Sequence, residues 1–126
     1  MALALLLVSC GSSATDPGSA TAACNPLAFA MLNTAGSNAK VCAATVACID
    51  DHCADMAKEC AGPDYKAMSY AGTCGDYLNC VKQCNCVKSC VDKCDPGTLD
   101  CASCMSTKLG MGCTMTCASQ IASCGR

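Results

Sequence analysis

Residues 74–94 read CGDYLNCVKQCNCVKSCVDKC, with cysteine at 74, 80, 84, 86, 90 and 94. Thr73-Cys74-Gly75-Asp76 has the spacing of a capping box, with Asp76 where Glu is usual, and Asp95-Pro96-Gly97 closes the stretch. The punctuation predicts one helix between them. Cysteines four apart on a helix share a face with Cβ atoms about 5–6 Å apart, whereas a disulfide needs about 3.5–4.5 Å. They should therefore not bond one another. At 100° per residue, the set Cys74, Cys80 and Cys84 occupies a different arc from Cys86, Cys90 and Cys94, so a central helix can be stapled to one neighbour by each set.

The rest of the chain is punctuated in the same way. Asn25-Pro26 is an N-cap followed by proline at the first helical position, introducing Leu27 to Asn33, and Gly36-Ser37 interrupts. A second helical stretch runs from Ala39 to Ala61 with a break near Asp50, and Gly62-Pro63 stops it. Residues 63–72 form a linker or helical turn. A fourth piece covers Thr98 to Lys108, Gly110 and Gly112 break the chain, and Cys113 to Cys124 forms the last helix. No run of Val, Ile, Thr or Tyr alternates over five residues, so strands are not expected. The fold class is all-α: a small disulfide-stapled helical array or bundle behind an unstructured N-terminal tether.

Composition explains why staples are needed. The chain has 126 residues, 17 of them Cys, with one Phe, no Trp and a net charge of -2. Between Cys24 and Arg126 only 13 residues are Ile, Leu, Val or Phe. Burying them returns roughly 20–40 kcal/mol against roughly 100–200 kcal/mol for ordering about 100 backbones. Ala, Met and Cys narrow the gap, and cross-links or metal must close it. A large enzyme with a conventional core is excluded, as is a polytopic membrane protein. Nucleic acid is not an expected partner, because no basic patch is present to neutralise phosphates.

An antiparallel helix pair bonds at nearly constant index sums, which gives an expected connectivity. Cys60 with Cys74, Cys53 with Cys80 and Cys48 with Cys84 satisfy this on one side of the central helix. Cys94 with Cys113, Cys90 with Cys117 and Cys86 with Cys124 satisfy it on the other. Cys24 with Cys42 and Cys101 with Cys104 remain by elimination. Two spacings also recur: Cys-x5-Cys-x3/4-Cys at 42/48/53 and 74/80/84, and Cys-x3/4-Cys-x6-Cys at 48/53/60, 90/94/101 and 113/117/124. They suggest diverged copies of one helical unit.

The N-terminus carries a different signal. The apolar run Ala2 to Val8 is too short to span a bilayer, which needs about 20 residues, but suffices for the apolar region of a signal peptide, although no Lys or Arg precedes Cys10. Leu7-Val8-Ser9-Cys10 resembles the bacterial lipobox, in which cleavage leaves a lipidated cysteine as the new N-terminus. Removing Cys10 leaves 16 cysteines, an even number suited to disulfides. The resemblance implies a signal peptide over 1–9 and a membrane contact through the lipid anchor alone. Gly11, not Asp, implies sorting to the outer membrane. Residues 10–23 have no large apolar side chain and read as a flexible tether, and 24–126 is the cysteine-rich helical domain. Lipobox, tether and helical Cys-x3-Cys array together resemble the cysteine-rich lipoproteins of unknown function that abound in myxobacteria-like genomes. That resemblance implies an exported, disulfide-bonded binding or structural module without catalysis or cofactor, its protein or surface partner unspecified.

The alternative is a thiolate store for Cu(I) or zinc. Cys-x3-Cys helices line exported copper-storage proteins, soft thiolates select Cu(I), and Met31, Met56, Met68, Met105, Met111 and Met115 could add thioethers. Core filling in a Leu-poor body is the competing role for these methionines. Cys101-Ala102-Ser103-Cys104 has redox spacing without a βαβ setting. His52 adjoins Cys53, but neighbours on a helix point about 100° apart, which does not make a thiolate–imidazole pair. Asp50, Asp51, Asp55 and Glu59 suit the first turns of a helix. No Walker loop, paired catalytic carboxylates, serine elbow or zinc-peptidase motif is present.

Overall fold

The computed structural model describes residues 24–125. The signal peptide, the lipidation of Cys10 and the tether all lie outside the described residues. The elements are α1 (Pro26–Thr34), α2 (Ala43–His52), α3 (Ala54–Ala61), a 3-10 turn (Tyr65–Ala67), α4 (Gly75–Gln83), α5 (Lys88–Val91), α6 (Leu99–Ser103), a π-helix (Cys104–Cys113), α7 (Thr114–Thr116) and α8 (Ala118–Ser123). No strand occurs among the described residues, so the expected all-α, disulfide-stapled class is what forms.

Eight disulfides hold these elements, and seven of them are nested. Cys42–Cys124, Cys48–Cys117, Cys53–Cys113, Cys60–Cys104, Cys74–Cys101, Cys80–Cys94 and Cys84–Cys90 have sequence separations falling through 82, 69, 60, 44, 27, 14 and 6. Each lies inside the one before. The chain is thus a long hairpin with an outgoing limb (α2, α3, α4) and a returning limb (α5 to α8), turning at Asn85 and Cys86. Both turn residues are left-handed, with φ of 53° and 60°; Asn tolerates this conformation, but it is uncommon for Cys. The eighth bond, Cys24–Cys86, crosses all seven and ties the start of α1 to the turn.

This overturns the expected pairing. Cys60 does not bond Cys74, nor Cys53 Cys80, nor Cys48 Cys84. Likewise Cys94 does not bond Cys113, nor Cys90 Cys117, nor Cys86 Cys124, and neither Cys24–Cys42 nor Cys101–Cys104 forms. The physical reason is the turn. A continuous helix from 73 to 95 would carry Cys90 and Cys94 away from Cys84 and Cys80, but reversal at 85–86 folds them back onto those residues. The constant-sum rule survives, applied to different partners: α2 and α3 pair with the C-terminal segment, not with α4. Cysteines four apart, such as 80/84, 90/94 and 113/117, indeed do not bond one another.

Other expected boundaries move for local reasons. The Asn25 side chain accepts the Ala28 amide at 3.0 Å, capping α1 as expected. The second stretch breaks at Cys53 (φ -124°, ψ 16°), not at Asp50. Gly110 and Gly112 do not break the chain; they sit in the π-helix. That wide helix answers a length mismatch. Cys53 and Cys60 are seven residues apart, yet their partners Cys113 and Cys104 are nine apart. In α-helices these spans would be about 10.5 and 13.5 Å at 1.5 Å per residue. A π-helix, with more residues per turn, rises less per residue and lets the longer segment match the shorter.

Helix α1 supplies the core that the ladder alone does not. It is apolar on every face from Pro26 to Leu32, as suits a buried helix, and packs against the π-helix and α4. Leu27, Met31 and Leu32 join Leu78, Val81, Val91, Met105 and Leu109 in one cluster with nine of the bonded cysteines. At the open end of the hairpin, the Lys40 amide donates to the Gly125 carbonyl at 2.9 Å, and the Lys108–Glu59 ion pair joins the π-helix to α3.

Two outcomes are expected. A Cβ on Gly110 would lie 2.6 Å from the Met105 carbonyl oxygen, whereas one on Gly112 would meet nothing nearer than 3.6 Å. Gly110→Ala should lower stability by roughly 1–3 kcal/mol in guanidinium unfolding of the oxidised protein, with Gly112→Ala near neutral. Second, any single backbone cut between Cys24 and Cys124 leaves the pieces covalently joined. Trypsin-nicked protein should run as one band without reductant and as fragments with it.

Candidate functional site

Sulfur is the only chemistry this sequence supplies in quantity, and the fold sorts it by depth. In five rungs both cysteines are buried: Cys42–Cys124, Cys48–Cys117, Cys53–Cys113, Cys60–Cys104 and Cys74–Cys101. The other three bonds gather at the turn. Cys24, Cys86, Cys80 and Cys94 are half-buried, Cys84 is 8% exposed, and Cys90 is exposed. The turn is therefore where disulfide sulfur is least shielded, and short loops there bring two disulfides into contact. Cys84 Sγ lies 3.9 Å from Cys94 Sγ, so Cys84–Cys90 stacks on Cys80–Cys94. A second stack exists in the core, where Cys113 Sγ lies 4.0 Å from Cys117 Sγ.

These stacks are also where thiolates could converge on a metal. Cys80, Cys84 and Cys94 form one compact group, and Cys53, Cys113 and Cys117 another, with the sulfurs of each within 4.8 Å of one another. Every sulfur in both groups is spent in a disulfide, and cysteine binds metal as its thiolate. In this oxidised state neither group can bind soft metal. The methionines divide: Met31 and Met105 are core, Met56 and Met68 pack against it, and Met111 and Met115 are exposed at 62% and 74%.

The other sequence candidates are dispersed. Cys101 and Cys104 bond to Cys74 and Cys60, so the CxxC spacing makes no redox pair. His52 is exposed at the end of α2, and its neighbour Cys53 is buried in its bond to Cys113. Asp51, Asp55 and Glu59 are exposed on α2 and α3, and Asp50 is half-buried, lining a small pocket together with Tyr65. The turn was missed as a site because its signal, exposure of one cysteine beside three shielded ones, is absent from spacing alone.

Polar groups around the turn hold it against α1. The Asn33 side chain donates to Asp92 at 3.1 Å and accepts from Lys88 at 3.0 Å, while Lys88 and Asp92 pair at 3.2 Å. Asn33 and Lys88 hold the Asp92 carboxyl below the ordinary carboxylate range. A groove of about 310 Å³ runs beside them, lined by Phe29, Leu32, Cys86 and Lys88 among others. Burial pushes the hydroxyls of Tyr65 and Tyr70 up to about 12, with Asp50 adding to the effect at Tyr65; Tyr77 is raised for the same reason. No family model, curated protein or solved structure matches the chain.

Depth should set the order of reduction. Without denaturant, a dithiol should open Cys84–Cys90, Cys80–Cys94 and Cys24–Cys86 first, the other five rungs following only when denaturant is added. Differential alkylation with peptide mapping reads this order, and early label on Cys48, Cys53 or Cys113 would contradict it.

Proposed function

We propose that the protein is a lipid-anchored, disulfide-stapled module of the bacterial envelope surface, acting by binding or by structure without catalysis. The observation that carries this reading is that all sixteen cysteines from Cys24 to Cys124 are consumed in disulfides. Such a ladder forms and persists in an oxidising compartment. It also leaves Cys10 as the cysteine whose partner is not another of the seventeen, which supports its lipidation in the lipobox Leu7-Val8-Ser9-Cys10. Among the described residues no helix is long and apolar enough to cross a membrane, and the lipid would supply the attachment. Sorting to the outer membrane rests on Gly11, and kinship with the myxobacterial-type lipoproteins on the style of the whole chain.

The thiolate store for Cu(I) or zinc remains the second reading, because the two compact cysteine groups have the convergence a metal needs. It requires those thiols to be reduced in the native protein. One experiment separates the two: purify the exported protein, titrate its thiols in denaturant and assay its metal. Near-zero thiols and no metal are expected, and many thiols with stoichiometric copper or zinc would replace the first reading by the second. Cells fed a palmitate analogue should label the product, with Cys10→Ser abolishing the label; an unlabelled wild-type product would remove the anchor.

A further inference from the structure

The turn places an exposed disulfide against a shielded one in an order that suits covalent capture. Cys90 is exposed and its partner Cys84 is 8% exposed, so an incoming nucleophile reaches the Cys90 sulfur and expels Cys84. In an isolated short-loop disulfide the expelled thiolate would attack straight back, since only six residues separate the pair and its effective concentration is high. Here the Cys84 sulfur already stands 3.9 Å from Cys94, and Cys94 is bonded to Cys80. Of the exposed charges on residues 80–94, Lys88 is paired with Asp92 and Lys82 and Lys93 leave the stretch net positive, a sign that favours an approaching thiolate.

We propose that the stacked disulfides Cys84–Cys90 and Cys80–Cys94 form a thiol-capture site, which takes a solvent-borne thiol onto Cys90 and stores the displaced sulfur in a new Cys84–Cys94 bond. The proposal rests on the binding reading above and gives it a site and a ligand chemistry. The steps balance without an added oxidant or reductant. The incoming thiolate attacks Cys90 Sγ, forming a mixed disulfide and breaking Cys84–Cys90. The Cys84 thiolate then attacks Cys94 Sγ, forming Cys84–Cys94 and breaking Cys80–Cys94. The Cys80 thiolate takes up the proton that the incoming thiol lost. Net, one thiol is consumed and one appears, moved from the ligand to Cys80. The core stack at Cys113 and Cys117 has the same sulfur contact but no exposed member, so it is closed to this chemistry.

The test uses the full oxidised chain. Incubation with glutathione, acid quenching, alkylation and peptide mapping should give one glutathione per chain on Cys90, the alkyl group on Cys80, and a Cys84–Cys94 linked peptide. In Cys80→Ser/Cys94→Ser the yield of adduct at equal glutathione should fall by roughly tenfold or more, because Cys84 is left to expel the ligand. The wild-type map stands even if that variant folds poorly. Repeating the map with a reduced polypeptide carrying a single cysteine tells small thiols from polypeptide thiols, the preferred source giving the higher yield with the same label pattern. Adduct on Cys24 or Cys86, label on Cys84 with Cys80–Cys94 intact, or no adduct would each overturn the proposal. None of these results bears on palmitate labelling or on the five buried rungs, so the site can fail while the anchored module stands.

Discussion

Cys53–Cys113 and Cys60–Cys104 fix two limbs of unequal residue count to equal length, and much of the fold follows from that covalent register. The returning limb widens into a π-helix across this interval, and Gly110 accommodates its closest approach to the Met105 carbonyl. The same nested order carries α2 against α8 and brings Cys80 and Cys84 face to face with Cys94 and Cys90. With the limbs pinned, one apolar helix, α1, suffices to complete a core in a chain with few large aliphatic side chains.

The ladder also divides the chemistry. Deep rungs are shielded by the α1 core and by the neighbouring helices, so their sulfurs are structural. At the turn the limbs run out of partners, the connecting loop is short, and shielding fails on one side of one bond. Exposed and shielded disulfides are therefore the same residue type at two depths of burial, and position along the hairpin decides the depth of each.

Much of this was legible in the residues and some was not. Asn25-Pro26 and Gly62-Pro63 mark real helix ends, since cap and breaker chemistry is local. The rule that cysteines four apart avoid one another held, and so did the near-constant index sums of an antiparallel pair. What failed was the partner assignment. Asn85 and Cys86 adopt left-handed geometry without glycine, so the lone Asn in CNC was too weak a turn signal to announce a reversal, and every pairing drawn from an unbroken central helix was displaced. The π-helix was equally hidden, because it is imposed by two distant disulfides and not by the propensity of residues 104–113. Exposure of Cys90 depends on the same unseen turn.

Nesting changes what each bond contributes. A disulfide spanning 82 residues would close a very large ring by itself, but here every rung after the innermost closes only a small ring with its neighbour. Deleting an interior rung fuses two small rings into one about twice the size and so removes one ring closure, about 2–3 kcal/mol for rings this small, less the roughly 0.6 kcal/mol by which the surviving ring is harder to close at doubled length. The outermost bond has no enclosing ring to inherit its segment, so its loss frees an end outright. Chain entropy thus ranks the rungs almost evenly, the rim above the middle by only about 0.6 kcal/mol, so depth of burial and ring closure grade the same bonds differently.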